Sequence, residues 1–119
     1  MTATVKSIRG SQGKWDVNVT YSDGSRETLP TAHQYFWKSG NVYHRGHPDV
    51  SWPIFRDKPQ FTEHVNLIKE KKRVVVTTDD IDEATGLFKR TGYVGVFDVD
   101  GISVTKDGLT FQFVRRLPE

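Results

Sequence analysis

Three Asp-Gly pairs divide this chain into short segments, and each pair lies between runs that alternate apolar and polar residues. The pairs are Asp23-Gly24, Asp100-Gly101 and Asp107-Gly108. A tight two-residue hairpin needs positive φ at its central residues, which Gly adopts freely and Asp tolerates. The pairs therefore predict three antiparallel hairpins, and with them a small fold built mainly from β-strands.

The strand predicted at residues 14–22 has the clearest pattern. Its apolar residues all fall on one face: Trp15, Val17, Val19 and Tyr21. Pro30 is expected to end the returning strand, because proline cannot donate a ladder hydrogen bond. Further strands are predicted at residues 3–9, 25–29, 73–78, 92–99, 102–106 and 109–115, and an irregular hairpin at 34–44.

One helix is predicted, at about residues 58–71. Phe61, Val65 and Ile68 recur at helical spacing and would form its buried face. Asp57 and Gln60 form a capping-box pattern at its start.

The remaining segments are expected to be irregular. Residues 45–59 contain three prolines and little periodicity, so they are predicted to form a loop. The acidic segment at 79–86 is predicted to form a loop or a short helical turn. The expected fold class is α+β, a mostly antiparallel sheet or small barrel with one helix, in one domain over residues 1–119.

The composition excludes several classes of protein. The 119 residues include no Cys, which rules out a disulfide framework, a thiolate zinc site and a cysteine nucleophile. No secretory leader pattern and no apolar run of about 20 residues is present, so we expect a cytoplasmic protein without membrane association. The net charge of +2 is mildly basic and does not by itself select a partner.

Residues 14–30 run from a Trp-containing strand into Tyr-x-Asp-Gly and return through an acidic and an apolar residue. This segment resembles the central hairpin of small SH3-like barrels of the Tudor type. The matching residues are Trp15, Tyr21, Asp23, Gly24, Glu27 and Leu29. The resemblance implies a barrel hairpin in a family that binds peptides, often methylated, and has some relatives that bind nucleic acid. It covers about a seventh of the chain and assigns no binding residue.

A candidate metal site combines His44, His47 and Asp49 with the earlier His33. Two imidazoles and a carboxylate can hold zinc or another divalent ion with one open position, which would make the chain a small metal-dependent hydrolase. However, His-x-x-His without a flanking Glu is a common pattern, and ordinary loop histidines explain it more simply. We therefore expect no metal or other cofactor.

Two further acidic patterns are weaker. The acidic residues at 79–83 could attract magnesium or calcium, but their order does not fit an EF-hand loop. Asp49 with Glu70 and Lys72 spells a loose nuclease pattern, which needs its carboxylates around one ion. No phosphate-binding Gly-rich loop and no nucleophile elbow occurs, so catalysis is not predicted.

Basic and aromatic residues recur along the chain in a way that favours a binding module. Single-stranded nucleic acid binds to basic grooves that also present stacking aromatic rings. The basic candidates are Lys72, Arg73, Lys89, Arg90, Arg115 and Arg116, and the stacking candidates are Tyr35, Trp37 and Trp52. The leading hypothesis is therefore a small non-catalytic module that binds nucleic acid on a curved sheet.

The same aromatic region leaves two alternatives open. Residues 34–54 could form a contact to a peptide partner or to a second copy of the chain. The rings could also simply build the core of a small barrel. Tyr35, Phe36 and Trp37 cannot all point inward from one strand, because neighbouring side chains alternate.

Overall fold

A computed structural model describes residues 3–11, 14–82 and 84–119, which form one curled sheet and two α-helices. The strands are β1 (Val5–Arg9), β2 (Asp16–Tyr21), β3 (Arg26–His33), β4 (Trp37–Lys38), β5 (Val42–Gly46), β6 (Arg73–Asp82), β7 (Leu87–Thr105) and β8 (Gly108–Arg116). The helices are α1 (Ser51–Arg56) and α2 (Phe61–Lys71). The strand order is β1-β2-β3-β6-β7-β8-β5-β4, and β3 pairs with β6 in parallel. A β-rich fold with helix is therefore confirmed.

Two of the three Asp-Gly pairs lie at strand reversals, as predicted. At the β2–β3 hairpin, Gly24 has φ +88° and its N–H donates to the Tyr21 carbonyl at 3.0 Å. At the β7–β8 hairpin, Thr105 pairs with Gly108, so the turn is Lys106-Asp107, one residue earlier than predicted, and Gly108 begins β8 without a positive φ.

The prediction of a reversal at Asp100-Gly101 is wrong. β7 is one strand of 19 residues that continues through this pair. Gly101 has φ +64°, and the pairing with β8 shifts register between Asp100 and Ser103. The positive φ therefore serves a bulge within a long strand, which is another use for the same local conformation.

The strand β3 continues through Pro30, where the sequence predicted its end. Pro30 pairs with Asp16 of β2, and pairing with β6 begins at the next residue, Thr31. The Thr31 N–H donates to the Trp15 carbonyl, on the β2 side of the strand, at 2.9 Å. Successive N–H groups point to opposite sides of a strand, so the N–H that Pro30 lacks falls on the other side, before the β6 pairing begins.

The segment at 45–59, predicted as a loop, contains the end of β5 and the helix α1. Trp52 and Phe55 of α1 are buried in the core, which explains why so short a helix is held in place. The predicted helix begins later than expected, at Phe61. Its N-cap is Gln60, without a side-chain hydrogen bond, whereas Asp57 ends α1 and pairs with the neighbouring Arg56, so the capping prediction is wrong.

The acidic segment after residue 78, predicted as a loop or helical turn, belongs to β6 as far as Asp82. Asp79 lies opposite Arg90 of β7, and Asp80 lies opposite Lys89. Opposite charges across a strand pair stabilise a sheet. The prediction of a loop considered the acidic segment alone and could not include these cross-strand partners. Glu83, the last member of the run, lies outside the described residues.

The predicted hairpin at 34–44 is present in a shorter form. Trp37 pairs with Tyr43, as expected, but Gln34–Phe36 form a 3-10 turn before the strand begins. Tyr35 is exposed and Phe36 is buried, so the side chains do not all point inward.

The sheet buries apolar residues on both faces. One cluster, the aromatic core, contains Phe36, Tyr43, Trp52, Phe55, Phe97, Phe111 and Phe113. The second core contains Val17, Val19, Tyr21, Leu29, Val75, Val96 and Leu117. Val74 and Val76 face the aromatic core and Val75 faces the second core, which confirms the prediction of a buried strand there. Among the described residues, no helix has the length and apolar character that crossing a membrane requires.

Candidate functional site

A cavity of about 270 Å³ lies where β3, β5, β6 and β7 meet both helices. Two histidines line it, His33 and His64, together with three aromatic rings: Trp15, Phe55 and Phe88. Its charged lining residues are Lys14, Arg45, Lys58, Asp79 and Arg90. We call it the arginine cavity, after the buried Arg45. A larger groove of about 810 Å³ runs over β1–β3, but it contains no buried side chain.

Arg45 is the buried cation of this cavity. It follows Tyr43 by two residues on β5, so both side chains are on the inner face of the strand. Only 6% of Arg45 is exposed, and its guanidinium lies 3.7 Å from the centre of the Phe55 ring. The centres of the Phe36 and Phe88 rings also lie within 5.2 Å of the Arg45 guanidinium. Burial lowers the pKa of Arg45, but an arginine keeps its charge at any physiological pH.

Arg45 has no acidic partner among the described residues. No carboxylate oxygen of these residues lies within 4.0 Å of its guanidinium, whereas six other ion pairs occur in the same part of the chain. Its Nε atom is buried and has no hydrogen-bond partner. Tyr43, Asp49 and Asp79 favour the charge of Arg45, but burial outweighs them, so Arg45 keeps capacity to bind an anion.

His33 is held in a fixed orientation at the end of β3. Its Nδ1 lies 2.7 Å from the Asp79 carboxylate, which also accepts a hydrogen bond from the Thr77 hydroxyl at 2.8 Å. Its ring stacks on Phe88 with 4.1 Å between the centroids. Burial lowers the pKa of His33, and the contact with Asp79 opposes that shift.

Two irregularities in the β6–β7 ladder place Asp79. The register shifts between Val76 and Thr77 and again between Thr78 and Asp79. Bulges of this kind redirect side chains and are frequent beside functional sites. Burial opposes ionisation, but the hydrogen bonds from His33 and Thr77 hold the pKa of Asp79 below its usual range, so it is a carboxylate at neutral pH.

His64 lies on the apolar face of α2, between Phe61 and Ile68 in sequence. The rings of Trp15 and Phe55 meet it edge-to-face, at 5.4 and 5.6 Å between centroids. Burial lowers the pKa of His64 to about 3, and the nearby charges of Arg45 and His33 act in the same direction. His64 is therefore a neutral imidazole at physiological pH.

The cavity is electropositive. Among the described residues that line it, four side chains are cationic and one, Asp79, is a carboxylate. Lys14 and Lys58 are exposed near its edge, while the Arg90 guanidinium donates to the Lys14 carbonyl at 2.8 Å. Charges of one sign around a desolvated cavity concentrate the potential, so this arrangement attracts anions.

A second concavity, also of about 270 Å³, adjoins the arginine cavity and shares Gly86 and Phe88 with it. Tyr35 and Val50 line it and are about half exposed, at 51% and 50%. We call it the tyrosine cleft. Leu87, which is 61% exposed, lines the arginine cavity and lies between Gly86 and Phe88 in the sequence. Exposed apolar side chains gathered in one place indicate a contact surface.

The predicted stacking residues occupy different environments. Tyr35 is exposed in the tyrosine cleft, as a stacking role requires. Trp37 is half-buried and stacks on Phe113 at 3.8 Å between centroids. Trp52 is only 3% exposed, and its indole N–H donates to the Lys106 carbonyl at 3.1 Å. The two tryptophans are therefore part of the aromatic core.

Of the predicted cations, only Arg90 lines the arginine cavity. Arg73 and Arg115 bind Asp98, at 2.7 and 3.0 Å, and Arg116 binds Glu119 at 3.1 Å. Lys72 ends α2 in the left-handed conformation, and Lys89 is exposed opposite Asp80. These cations do not gather around the cavity.

The four predicted metal ligands do not come together, because each has a different contact or faces a different side. His33 binds Asp79, while His44 neighbours Arg45 on β5 and therefore points to the opposite face of that strand. The Asp49 carboxylate accepts a hydrogen bond from the Gly46 N–H at 3.3 Å, and His47 is exposed. Within residues 3–11, 14–82 and 84–119, no group of three His, Asp or Glu side chains is placed to hold a metal ion.

Sequence reasoning missed Arg45 and His64, although each carries a detectable signal. Arg45 occupies an inward position of a short strand, where an apolar residue is the norm, and His64 lies on the apolar face of a helix. In both cases a polar residue occupies a position that the spacing of the apolar residues predicts to be buried. No family model, curated protein or solved structure matches the chain. The chemistry of the cavity is therefore the basis for assigning a function.

Proposed function

We propose that the protein is a nucleic-acid-binding module that holds a backbone phosphate of a single strand in the arginine cavity and a neighbouring base on Tyr35. The observation that carries this proposal is Arg45, a buried guanidinium without a carboxylate among the described residues. The site differs from the surface expected from the sequence, but the ligand class is the same.

The phosphate step follows from the chemistry of the guanidinium. Its planar fork of donors matches two phosphate oxygens, and such charge-assisted bonds are about twice as strong as neutral ones. The Phe55 ring lies 3.7 Å from the Arg45 guanidinium, so a phosphate would meet the N–H donors at the edge of that planar group. A bound phosphate would also supply the missing counter-charge, so binding would relieve the cost of burying Arg45.

The base step follows from the position of the tyrosine cleft. The cleft and the arginine cavity share the wall formed by Gly86 and Phe88, so they lie side by side. In a single strand, each base also lies next to a backbone phosphate, so one nucleotide could occupy both concavities. An exposed aromatic ring such as Tyr35 stacks on any base, and each stacked base contributes about 1–3 kcal/mol.

The rim supplies the long-range attraction. Lys14, Lys58 and Arg90 add positive charge around the entrance while the net charge of the chain is only +2. We therefore expect moderate affinity with a clear salt dependence, from a few phosphate contacts and not from an extended basic surface.

The test is a tryptophan-fluorescence titration with a short single-stranded oligonucleotide and its duplex at two salt concentrations. Trp15 lines the cavity and reports its occupancy. We expect Arg45→Met to lower single-strand affinity at least about tenfold, as for loss of a charged hydrogen bond. The matched control is Arg116→Met, an exposed arginine outside the cavity, which should bind normally. Equal affinities of the two variants, or no binding by the wild type, would contradict the proposal.

A second candidate function, contact with a peptide or with a second copy of the chain, is favoured by the exposed Tyr35, Val50 and Leu87. Sedimentation at micromolar concentration distinguishes the two. A monomer that binds oligonucleotide supports nucleic-acid binding, whereas a dimer that dissociates on Leu87→Ser substitution and ignores oligonucleotide supports the alternative.

A further inference from the structure

The arginine cavity contains two histidines whose pKa values are both lowered by burial but whose partners differ. His33 is hydrogen-bonded to the Asp79 carboxylate, which stabilises a protonated imidazole. His64 packs between aromatic rings beside Arg45, which favours a neutral imidazole. Two histidines that line one cavity with Arg45, one bound to a carboxylate and the other not, can supply a general acid and a general base to one ligand.

We infer that the cavity cleaves RNA without a metal, with His64 as general base, His33 as general acid and Arg45 as the cation that stabilises the reacting phosphate. This inference rests on the proposed nucleic-acid binding and deepens it, because it names RNA as the substrate class.

The reaction is a transphosphorylation in which atoms and charges balance within the RNA. His64 accepts the proton of the ribose 2′-hydroxyl, and the 2′-oxygen forms a bond to phosphorus. The bond between phosphorus and the 5′-oxygen breaks, and His33 donates its proton to that oxygen. The products are a 2′,3′-cyclic phosphate and a 5′-hydroxyl, and no water, oxidant or cofactor is consumed.

Each remaining group in the cavity has a defined part. Arg45 places fixed positive charge where negative charge grows on the phosphate, and such preorganised electrostatics is a large contribution to catalysis. Asp79 and Thr77 act through His33 and are positioning residues, since their contacts fix the ring. The tyrosine cleft would hold the base next to the reacting phosphate.

The charged surroundings predict how the rate changes with pH. His33 faces Asp79 from β6, Arg45 from β5 and Arg90 from β7, and His64 faces Arg45 and His33. The pKa of His64 is about 3, so the base is already neutral across the physiological range. The pKa of His33 lies below its usual 6.5, so the protonated acid becomes more abundant as the pH falls. The rate should therefore rise from pH 8 towards pH 5.5.

The deciding experiment uses a DNA oligonucleotide with a single internal ribonucleotide and a matched one with 2′-O-methyl at that position. We expect EDTA-resistant cleavage of the first, with a cyclic-phosphate end identified by mass spectrometry, and none of the second. This comparison needs no variant, so it does not depend on whether a mutated cavity folds. Binding of both oligonucleotides without cleavage of either would overturn the inference and leave nucleic-acid binding intact, whereas no binding of either would overturn both.

Variants assign the roles. His33→Gln should reduce the cleavage rate by at least about 100-fold, the usual contribution of a general acid, while binding is retained. His47→Gln, an exposed histidine outside the cavity, is the matched control and excludes a co-purified nuclease. Asp79→Asn should shift the pH–rate profile to lower pH, which a merely structural role would not do. Unchanged cleavage in His33→Gln would overturn the assignment.

Discussion

Arg45 is buried and Arg73 is partly exposed, and the protein surrounds the two guanidinium groups differently. The Arg73 guanidinium binds Asp98 at 2.7 Å and Glu27 at 2.9 Å, and the Tyr21 hydroxyl completes the group. Burial works against the charge of Arg73, but these hydrogen bonds outweigh it and raise its pKa. Arg45 has aromatic rings in place of carboxylates, and its pKa is lowered.

The difference separates a cation whose partners lie within the fold from the cation that we propose to bind phosphate. Arg73 joins β3, β6 and β7 through its carboxylates, so its charge is fully used within the fold. Arg45 has no carboxylate in direct contact among the described residues, and the favourable effects of Tyr43, Asp49 and Asp79 on its charge do not outweigh the cost of burial. Proteins tend to break the rules of polar satisfaction where function requires it. The cavity is therefore the region where we propose that the fold gives up stability for binding.

The largest expected effect is the loss of stability in acid. The pKa of His64 falls from 6.5 to about 3 on folding, so the unfolded chain binds more protons than the native state between these values. Stability is therefore present above pH 6.5 and declines as the pH falls towards 3, by about 2–3 kcal/mol between pH 7.5 and 4.5. Urea unfolding at both pH values measures it. His64→Phe should flatten the dependence, and an unchanged slope would show that His64 is not buried as described.

The next effect is on the stability of the two arginine sites under the same substitution. Arg73→Met leaves Glu27 and Asp98 without their shared partner and should cost about 1–2 kcal/mol at this half-exposed site. Arg45→Met removes a buried charge that no carboxylate of the described residues contacts directly, and it should be neutral or stabilising by about 1 kcal/mol. Thermal unfolding of both variants without ligand checks the contrast. The same loss in both would mean that Arg45 is as much a structural cation as Arg73.

The smallest effect concerns the rim of the cavity. Lys58→Gln should reduce the slope of log affinity against log salt by about 0.7, the value for one phosphate contact with a single strand. Lys69→Gln, on the exposed face of α2, is the matched control and should leave the slope unchanged. Titrations at four salt concentrations measure both slopes. Identical slopes for the Lys58→Gln and Lys69→Gln variants would mean that the nucleic acid does not contact Lys58.

Local patterns predicted much of the fold because those elements depend on local physics. The alternation in β2, the three consecutive valines of β6 and the Asp23-Gly24 turn follow from periodicity and backbone preference. The arginine cavity depends on the parallel pairing of β3 with β6, which brings His33 beside Thr77 across 44 residues. It also depends on the bulges that direct Asp79. Neither feature has a local signature, so the site could not be assembled from the sequence.

The most direct test of the contrast between the arginines is the ¹⁵N NMR signal of their Nε–H groups during titration with a non-cleavable 2′-O-methyl oligonucleotide. Arg45 Nε has no hydrogen-bond partner, whereas Arg73 Nε already donates to Asp98 at 2.7 Å. We expect the Arg45 signal to shift as phosphate binds and the Arg73 signal to stay in place. Saturation of binding with an unmoved Arg45 signal would contradict the account.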